Sequence, residues 1–332
     1  MNSTKIAVVI PCYKVKGKIL GVIAGIGPEV TAIICVDDCC PEGSGQFISA
    51  NVKDPRVTVV RLEQNRGVGG ATVAGYEAAL DKQADIAVKL DGDGQMDPLL
   101  IPVIVSPIVS GYADYTKGNR FYNIEDVMAM PKLRLFGNAV LSFISKFSSG
   151  YWEIADPTNG YTAIHARILE QLPLRKLSQR WFFETDLLFR LNTIGAVVVD
   201  IPMTAVYADE KSNLKILNVI PEFMWKHTRN YFKRIFYSYF IRGFSIASIE
   251  LVTGLALLAF GVSYGVHAWV VSLDRHVFAS SGTVMVAALP VILGLQLLLS
   301  FLNYDMKSAP RLPLQNRLLP KVKRPSAREA SP

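Results

Sequence analysis

The sequence predicts an α/β domain on a mostly parallel sheet, followed by juxtamembrane amphipathic helices and two transmembrane helices. Three observations carry this. Short β-branched runs alternate with helical stretches through residues 1–210. Two later stretches are apolar and long enough to cross a bilayer. Basic residues flank that pair on its outer sides and are sparse in the loop between. At 332 residues, half of them hydrophobic and 19% charged, the chain has room for one domain and an appendage.

The first four strands are read at 5–10 ("KIAVVI"), 32–37 ("AIICVD"), 57–62 ("VTVVRL") and 85–91 ("DIAVKLD"). Parallel sheets bind ligands beyond the carboxyl ends of their strands. Pro11, Tyr13, Asp37, Asp38, the stretch 65–70, Asp91 and Asp93 all fall there. Residues 99–109 are expected to be helical despite their prolines, which suit a first turn. Residues 132–147 and 182–195 read as amphipathic helices, the second closed by Gly195, and 196–202 as a strand. Residues 214–243 mix basic and aromatic side chains, as suits a helix lying on a membrane surface.

The spans are expected at about 244–271 and 283–302. A pair of buried core helices is the alternative, but such helices rarely stay apolar on every face. Lys226, Arg229, Lys233, Arg234 and Arg242 precede the spans, and Lys307, Arg311, Arg317, Lys321, Lys323, Arg324 and Arg328 follow them; the loop between has Arg275. Both termini are therefore expected in the cytoplasm. The net charge of +7 reads as a membrane-surface feature and not as nucleic-acid binding. The expected division is 1–212 catalytic, 213–243 juxtamembrane, 244–304 membrane-spanning and 305–332 a basic Pro-rich tail, disordered from about 310. No secretory signal is expected, and the cysteines at 12, 35, 39 and 40 read as small buried residues rather than zinc ligands.

"VKLDGDGQMDP" (88–98) ends an apolar run on Asp91 and Asp93. An EF-hand loop counted from Asp91 would need Gly and Glu where Met96 and Pro102 stand. A solvated turn is one remaining reading. The other is a divalent cation held by these carboxylates on a nucleotide diphosphate. The stretch "NRGVGGATVAG" (65–75) lacks the third glycine of a dinucleotide fingerprint and follows the third strand; it reads as a turn into a helix whose amino end faces an anion.

In order, "VVIPCYK", "VDDCCPEGS", "NRGVGGATVAGYEAAL", "VKLDGDGQMDP", "GNRF", "DPTNGYTAI" and "FFETDLLFRL" resemble the inverting family-two glycosyltransferases of the GT-A fold. Within them the chain looks most like the polyprenyl-phosphate glycosyltransferases, that is dolichol-phosphate mannose synthases and their bacterial undecaprenyl-phosphate relatives. The resemblance covers nearly all of residues 1–304. It implies that Pro11, Tyr13, Asp37 and Asp38 line a nucleotide pocket, with Arg66 and Gly67 beside them. It implies that Asp91 and Asp93 hold Mg²⁺ or Mn²⁺, assisted by Gln95, and that Arg120 and Arg134 draw in an acceptor phosphate, with Lys211 a third cation. Glu184 and Asp186 would lie near the site; the implied catalytic set is Asp93, Arg120, Arg134 and Asp186. One departure stands out: the family's Asn-Glu after Pro-x-Tyr is Lys14-Val15 here.

The implied reaction joins a nucleotide-sugar donor to a polyprenyl phosphate with inversion, at the cytoplasmic side of a plasma (inner) membrane. The acceptor phosphate is already anionic, so a strong base is dispensable. The implied partners are donor, lipid acceptor and bilayer, with a homo-oligomer through the spans and no nucleic acid. Rival readings are a processive polysaccharide synthase, a transferase onto another membrane lipid, and a sugar-nucleotide binding protein without activity. "QRW" (179–181) departs from the synthase motif and precedes "ETD" rather than following it.

Overall fold

The computed structural model describes residues 4–128, 132–204 and 216–318. The strands are β1 (Ile6–Cys12), β2 (Val30–Asp37), β3 (Val57–Arg61), β4 (Ile86–Lys89), β5 (Tyr115–Asn119), β6 (Thr162–His165) and β7 (Val198–Pro202). They form one sheet in the order β3-β2-β1-β4-β6-β5-β7. β6 runs antiparallel to β4 and β5; the remaining pairs are parallel.

The helices in order are α1 (Ile19–Ala24), α2 (Ser44–Asn51), α3 (Gly67–Asp81), α4 (Ile101–Val109), α5 (Ile124–Met128), α6 (Lys132–Ser149), α7 (Ala166–Leu169), α8 (Phe183–Ile194), α9 (Ile216–Phe236), α10 (Ile246–Arg275) and α11 (Ser281–Lys307). The period-2 rule divides the core into two layers. Val8 and Ile10 of β1 pack with Ile19, Ile101 and Ile104 on one face. Val9 packs with Ala71, Tyr76, Phe183 and Leu187 on the other. A sheet covered on both faces explains why β1 and β2 read as continuous apolar runs.

The expected elements are present, with boundaries moved by a few residues. Two strands were not expected. β5, "YTKGN", carries no apolar alternation, yet all five of its residues are buried. Polar atoms are matched locally there: the Thr116 hydroxyl donates to Ile104 O, and Lys117 Nζ donates to Asn159 O. β6 is only four residues long.

The chain divides into two units, each described by itself. One runs to Trp225 and takes in the chain again from Pro310; the other is Lys226–Ala309. The boundary expected at 212/213 lies outside the described residues.

In the second unit, α10 and α11 are the two helices among the described residues that are long and apolar enough to span a membrane. Their outward positions, including Leu255, Val262, Ile292 and Leu295, are exposed apolar side chains, unlike those of core helices. The hairpin closes where Gly254 meets Gly294: a Cβ on Gly294 would lie 2.8 Å from Gly254 O. Asp305 takes both nitrogens of the buried Arg234 fork and the Tyr239 hydroxyl.

The tail differs from the expectation of disorder. Residues 310–318 belong to the first unit, and the buried carboxylate of Asp114 is the reason. Its oxygens accept the backbone N–H groups of Leu314 and Gln315, both at 2.7 Å, as well as that of Val197. Gln315 Nε2 donates to Ile108 O and Ala113 O, and Arg167 donates to Gln315 O. Backbone donors inside the fold need acceptors, and Asp114 supplies them. Residues 319–332 lie outside the described residues.

Asp114→Ala orphans two buried N–H groups and one half-buried one, at about 1–3 kcal/mol for each buried group. The expected result is a thermal midpoint lower by at least about 5 °C and faster trypsin cleavage at Arg311 and Arg317. Unchanged cleavage would show that Asp114 does not hold the tail.

Candidate active site

Four neighbouring parallel strands, β3, β2, β1 and β4, end on one side of the sheet. β2 and β4 flank β1 on opposite sides, and their connections leave toward opposite edges of the sheet, the arrangement that opens a crevice at the carboxyl ends. Pro11 pairs with Val36 at the end of β1, and Tyr13 beyond it is exposed. Lys14 takes positive φ, and its N–H donates to Cys40 Sγ.

Asp37 and Asp38 are both buried. Asp37 accepts the N–H groups of Cys40 and Gly45, each at 2.9 Å, and so fixes the loop after β2. Asp38 accepts those of Arg66 (2.7 Å) and Gly67 (2.8 Å). Burial raises the Asp38 carboxyl above the ordinary aspartate value, against the lowering effect of those N–H groups.

This revises the reading of the glycine-rich stretch. The anion at the amino end of α3 is the protein's own Asp38. The Gly70 N–H in the same turn donates to Gln179 O. The glycines serve close packing: Gly67 has φ +78°, and a Cβ on Gly69 would lie 2.3 Å from Ser178 O and 2.7 Å from Phe183 Cβ.

Asp91 and Asp93 stand just past the end of β4. Asp93 Oδ1 accepts the Gln95 N–H, with Gly94 at φ +74°, so the expected turn exists. Asp91 Oδ1 accepts from Lys89 Nζ at 2.8 Å, while its Oδ2 takes no hydrogen bond from a described residue; its side chain is 30% exposed. Among the described residues, no three His, Cys, Asp or Glu side chains gather as a self-sufficient metal cage. Two carboxylates suit a hard dication that completes its shell with ligand oxygens, and the unengaged Asp91 Oδ2 fits that donor set.

Beneath them lies a charged network that the sequence reading did not assign. Lys89 is fully buried and also reaches Glu184 Oε1 at 3.3 Å. Burial works against its ammonium, but Asp91 and Glu184 outweigh that and hold its pKa above the ordinary lysine value. Glu184 therefore pairs with Lys89. Lys117 is also fully buried, and burial pulls it down to about 8 despite Glu184 and Asp156 nearby. The readable signal was a lysine inside an apolar strand, "AVKL".

Arg120 is engaged by the fully buried Asp156: Nε donates to Oδ2 at 2.7 Å and Nη2 to Oδ1 at 3.0 Å. Asp186, expected among the catalytic residues, is buried; it accepts from Ser178 N at 3.0 Å and Arg190 Nε at 3.3 Å, holding the loop before α8. Arg134 is in α6, but its side chain lies outside the described residues, as does Lys211.

The profile of glycosyl transferase family 2 matches residues 7–173. A UDP-N-acetylglucosamine–dolichyl-phosphate N-acetylglucosaminyltransferase of Methanococcus voltae is 31% identical over 46% of this chain and 61% of that protein, less than two thirds of its length. An undecaprenyl-phosphate mannosyltransferase of Micrococcus luteus is 28% identical over 56% of this chain and 76% of that one. A polyprenol monophosphomannose synthase of Mycolicibacterium smegmatis is 30% identical over 59% and 76%. Among solved structures, glucosyl-3-phosphoglycerate synthase from Mycobacterium tuberculosis, in complex with Mn²⁺, UDP-glucose and phosphoglyceric acid, superposes with a TM-score of 0.50 at 18% identity, covering 70% of this chain and 79% of that one. That likeness shows the GT-A-like fold.

Asp200, at the far side of the network, offers a pH test. Burial pushes its carboxyl up to about 6, against the Ala155 N–H and Lys117, which pull it down. Between its ordinary value of 3.8 and about 6, the folded chain binds a proton that the unfolded chain does not. Asp200 therefore lowers stability as pH rises through that window. Asp200→Asn should gain stability over the wild type from about pH 4 to about pH 6 and then hold a constant advantage, read from denaturant midpoints. A pH-independent difference would refute this.

Proposed function

The chain belongs to glycosyl transferase family 2, and from that premise we propose that it transfers a sugar from a nucleotide-sugar donor to a polyprenyl phosphate with inversion. The observation that carries this is the contrast among the crevice carboxylates. Asp37, Asp38 and Asp186 accept hydrogen bonds from loop backbone, and Glu184 faces Lys89. Asp91 keeps one oxygen without such a partner, beside Asp93 at the end of β4. The relatives' printed names, which pair sugars with dolichyl, undecaprenyl and polyprenol phosphates, support the acceptor class.

Asp91 and Asp93, with Gln95 beside them, would hold Mg²⁺ or Mn²⁺, which when bound neutralises the leaving diphosphate. The fold neighbour's crystal held Mn²⁺ with UDP-glucose, which supports this choice. Pro11, Tyr13, Asp37 and Asp38 shape the rim on the nucleotide side. Asp37 and Asp38 do so through the loops they fix, as do Arg66 and Gly67 through the turn they form.

Arg120 would meet the acceptor phosphate, with Arg134 and Lys211 proposed alongside it. Asp156 holds the Arg120 guanidinium in one plane, so its geometry is set before the phosphate arrives. A cavity of about 360 Å³ adjoins it in sequence; Phe121, Val127, Leu135, Ala139 and Phe143 give it an apolar side that suits an isoprenoid, and Asn138, Ser142 and Lys146 also line it. A phosphate oxygen attacks without a strong base. That matches Asp186, whose commitment to Ser178 and Arg190 favours a positioning role over proton transfer and disfavours a hydroxyl acceptor.

The topology follows. Residues 310–318 rejoin the unit that precedes α10. The two candidate spans would thus leave and re-enter one compartment, which the flanking basic residues make the cytoplasm. We place the catalytic unit on the cytoplasmic face of a plasma (inner) membrane.

The test incubates purified full-length protein with undecaprenyl phosphate and a panel of UDP- and GDP-sugars, with mass spectrometry of the lipid product. One sugar lipid should form with Mg²⁺ or Mn²⁺, vanish in EDTA and return when the cation is restored. Asp93→Asn should lose most turnover. Arg120→Lys should reduce use of the acceptor about ten-fold, the effect of one charge-assisted contact, with donor binding kept. Full activity in EDTA would refute the cation; no lipid product with any donor would refute the function.

A further inference from the structure

We propose that Lys89 is a positioning residue for the cation-binding carboxylate: its buried ammonium, balanced by Glu184, fixes one oxygen of Asp91 and so presents the other to the cation. This rests on the reading of Asp91 and Asp93 as cation ligands.

An ammonium has three N–H donors. Lys89 Nζ has three oxygens around it: Asp91 Oδ1 at 2.8 Å, Gly160 O at 3.3 Å and Glu184 Oε1 at 3.3 Å. The lysine ends β4, and Asp91 follows two residues on, the spacing that puts two side chains on one face of extended chain. Carboxylate rotation about its last bond is broad and two-fold. A hydrogen bond to one oxygen from a donor locked in the core removes that freedom.

The charge balance gives Glu184 its part. Lys89 and Asp91 alone would sum to zero, and a dication would then face a neutral pair. With Glu184 the trio carries one negative charge, so Asp91 keeps its attraction for the cation. Glu184 acts through electrostatics and transfers no proton.

Gly160 completes the arrangement. A Cβ there would lie 2.5 Å from Lys89 Nζ and 2.7 Å from Asp91 Oδ2, so the trio closes only over a residue without a side chain.

The test uses purified full-length protein with UDP, and separately GDP, titrated with Mn²⁺ while the free-ion EPR signal is followed, without lipid or turnover. Glu184→Gln should weaken Mn²⁺ binding about ten-fold or more, a tenth of the affinity being about 1.4 kcal/mol. Adding Lys89→Met to that variant restores the charge balance. Mn²⁺ binding should then recover in part, while kcat, measured separately with undecaprenyl phosphate and the active donor, stays low, because Asp91 is no longer held. Gly160→Ala, which changes no charge, should weaken Mn²⁺ binding as well. A salt bridge that merely staples α8 to the sheet predicts lower thermal midpoints with unchanged Mn²⁺ affinity in all three variants, and that result would overturn the proposal. Asp93→Asn separates the two levels. If it leaves Mn²⁺ binding intact, the cation reading itself fails. If it abolishes binding while Glu184→Gln does not, only the role of Lys89 fails.

Discussion

A fully buried ammonium in the middle of a sheet is costly unless carboxylates stand beside it. Lys89 sets that condition for the catalytic unit, and the surrounding structure meets it. Asp91 is drawn to the end of β4, Glu184 comes in on the first turn of α8, and Gly160 brings its carbonyl from the turn before β6. The crevice floor is thereby tied to three separate parts of the chain. Lys117, two strands further across the sheet on β5, is a second buried ammonium and donates to Asn159 O. A buried pair of this kind contributes less to net stability than to fixing one arrangement of its members.

Four of the buried aspartates share a second task. Asp37, Asp38, Asp114 and Asp186 each accept backbone N–H groups from a segment remote from their own strand or turn, or from the loop that follows it. Such bonds are charge-assisted and order loops that hydrophobic packing alone would leave loose. Asp38 also occupies the amino end of α3, the position at which a nucleotide phosphate sits in dinucleotide-binding folds.

Much of this was legible in the sequence. β1, β2 and β4 are buried on both faces, so their apolar runs were plain, and the two candidate spans stood out by length. β5 was not legible, because Thr116, Lys117 and Asn119 are buried with polar partners at Ile104 O, Asn159 O and Phe121 N rather than by hydrophobicity. The glycines of 65–75 suggested a turn into a helix whose amino end faces an anion; the Asp38 carboxylate stands there, and Gly69 also answers to Ser178 and Phe183, over a hundred residues away. The tail's composition suggested disorder; the order of residues 310–318 comes from Asp114, about 200 residues earlier. In each case the deciding partner is distant in sequence, where periodicity carries no information.

The most direct test is a structure of the protein with Mn²⁺ and a nucleoside diphosphate, with the ion located by its anomalous scattering. The expected peak lies within coordination distance of both Asp91 and Asp93, with Lys89 still hydrogen-bonded to Asp91 Oδ1. A peak elsewhere in the crevice, or an ion bound with neither aspartate among its ligands, would contradict the assignment of the site.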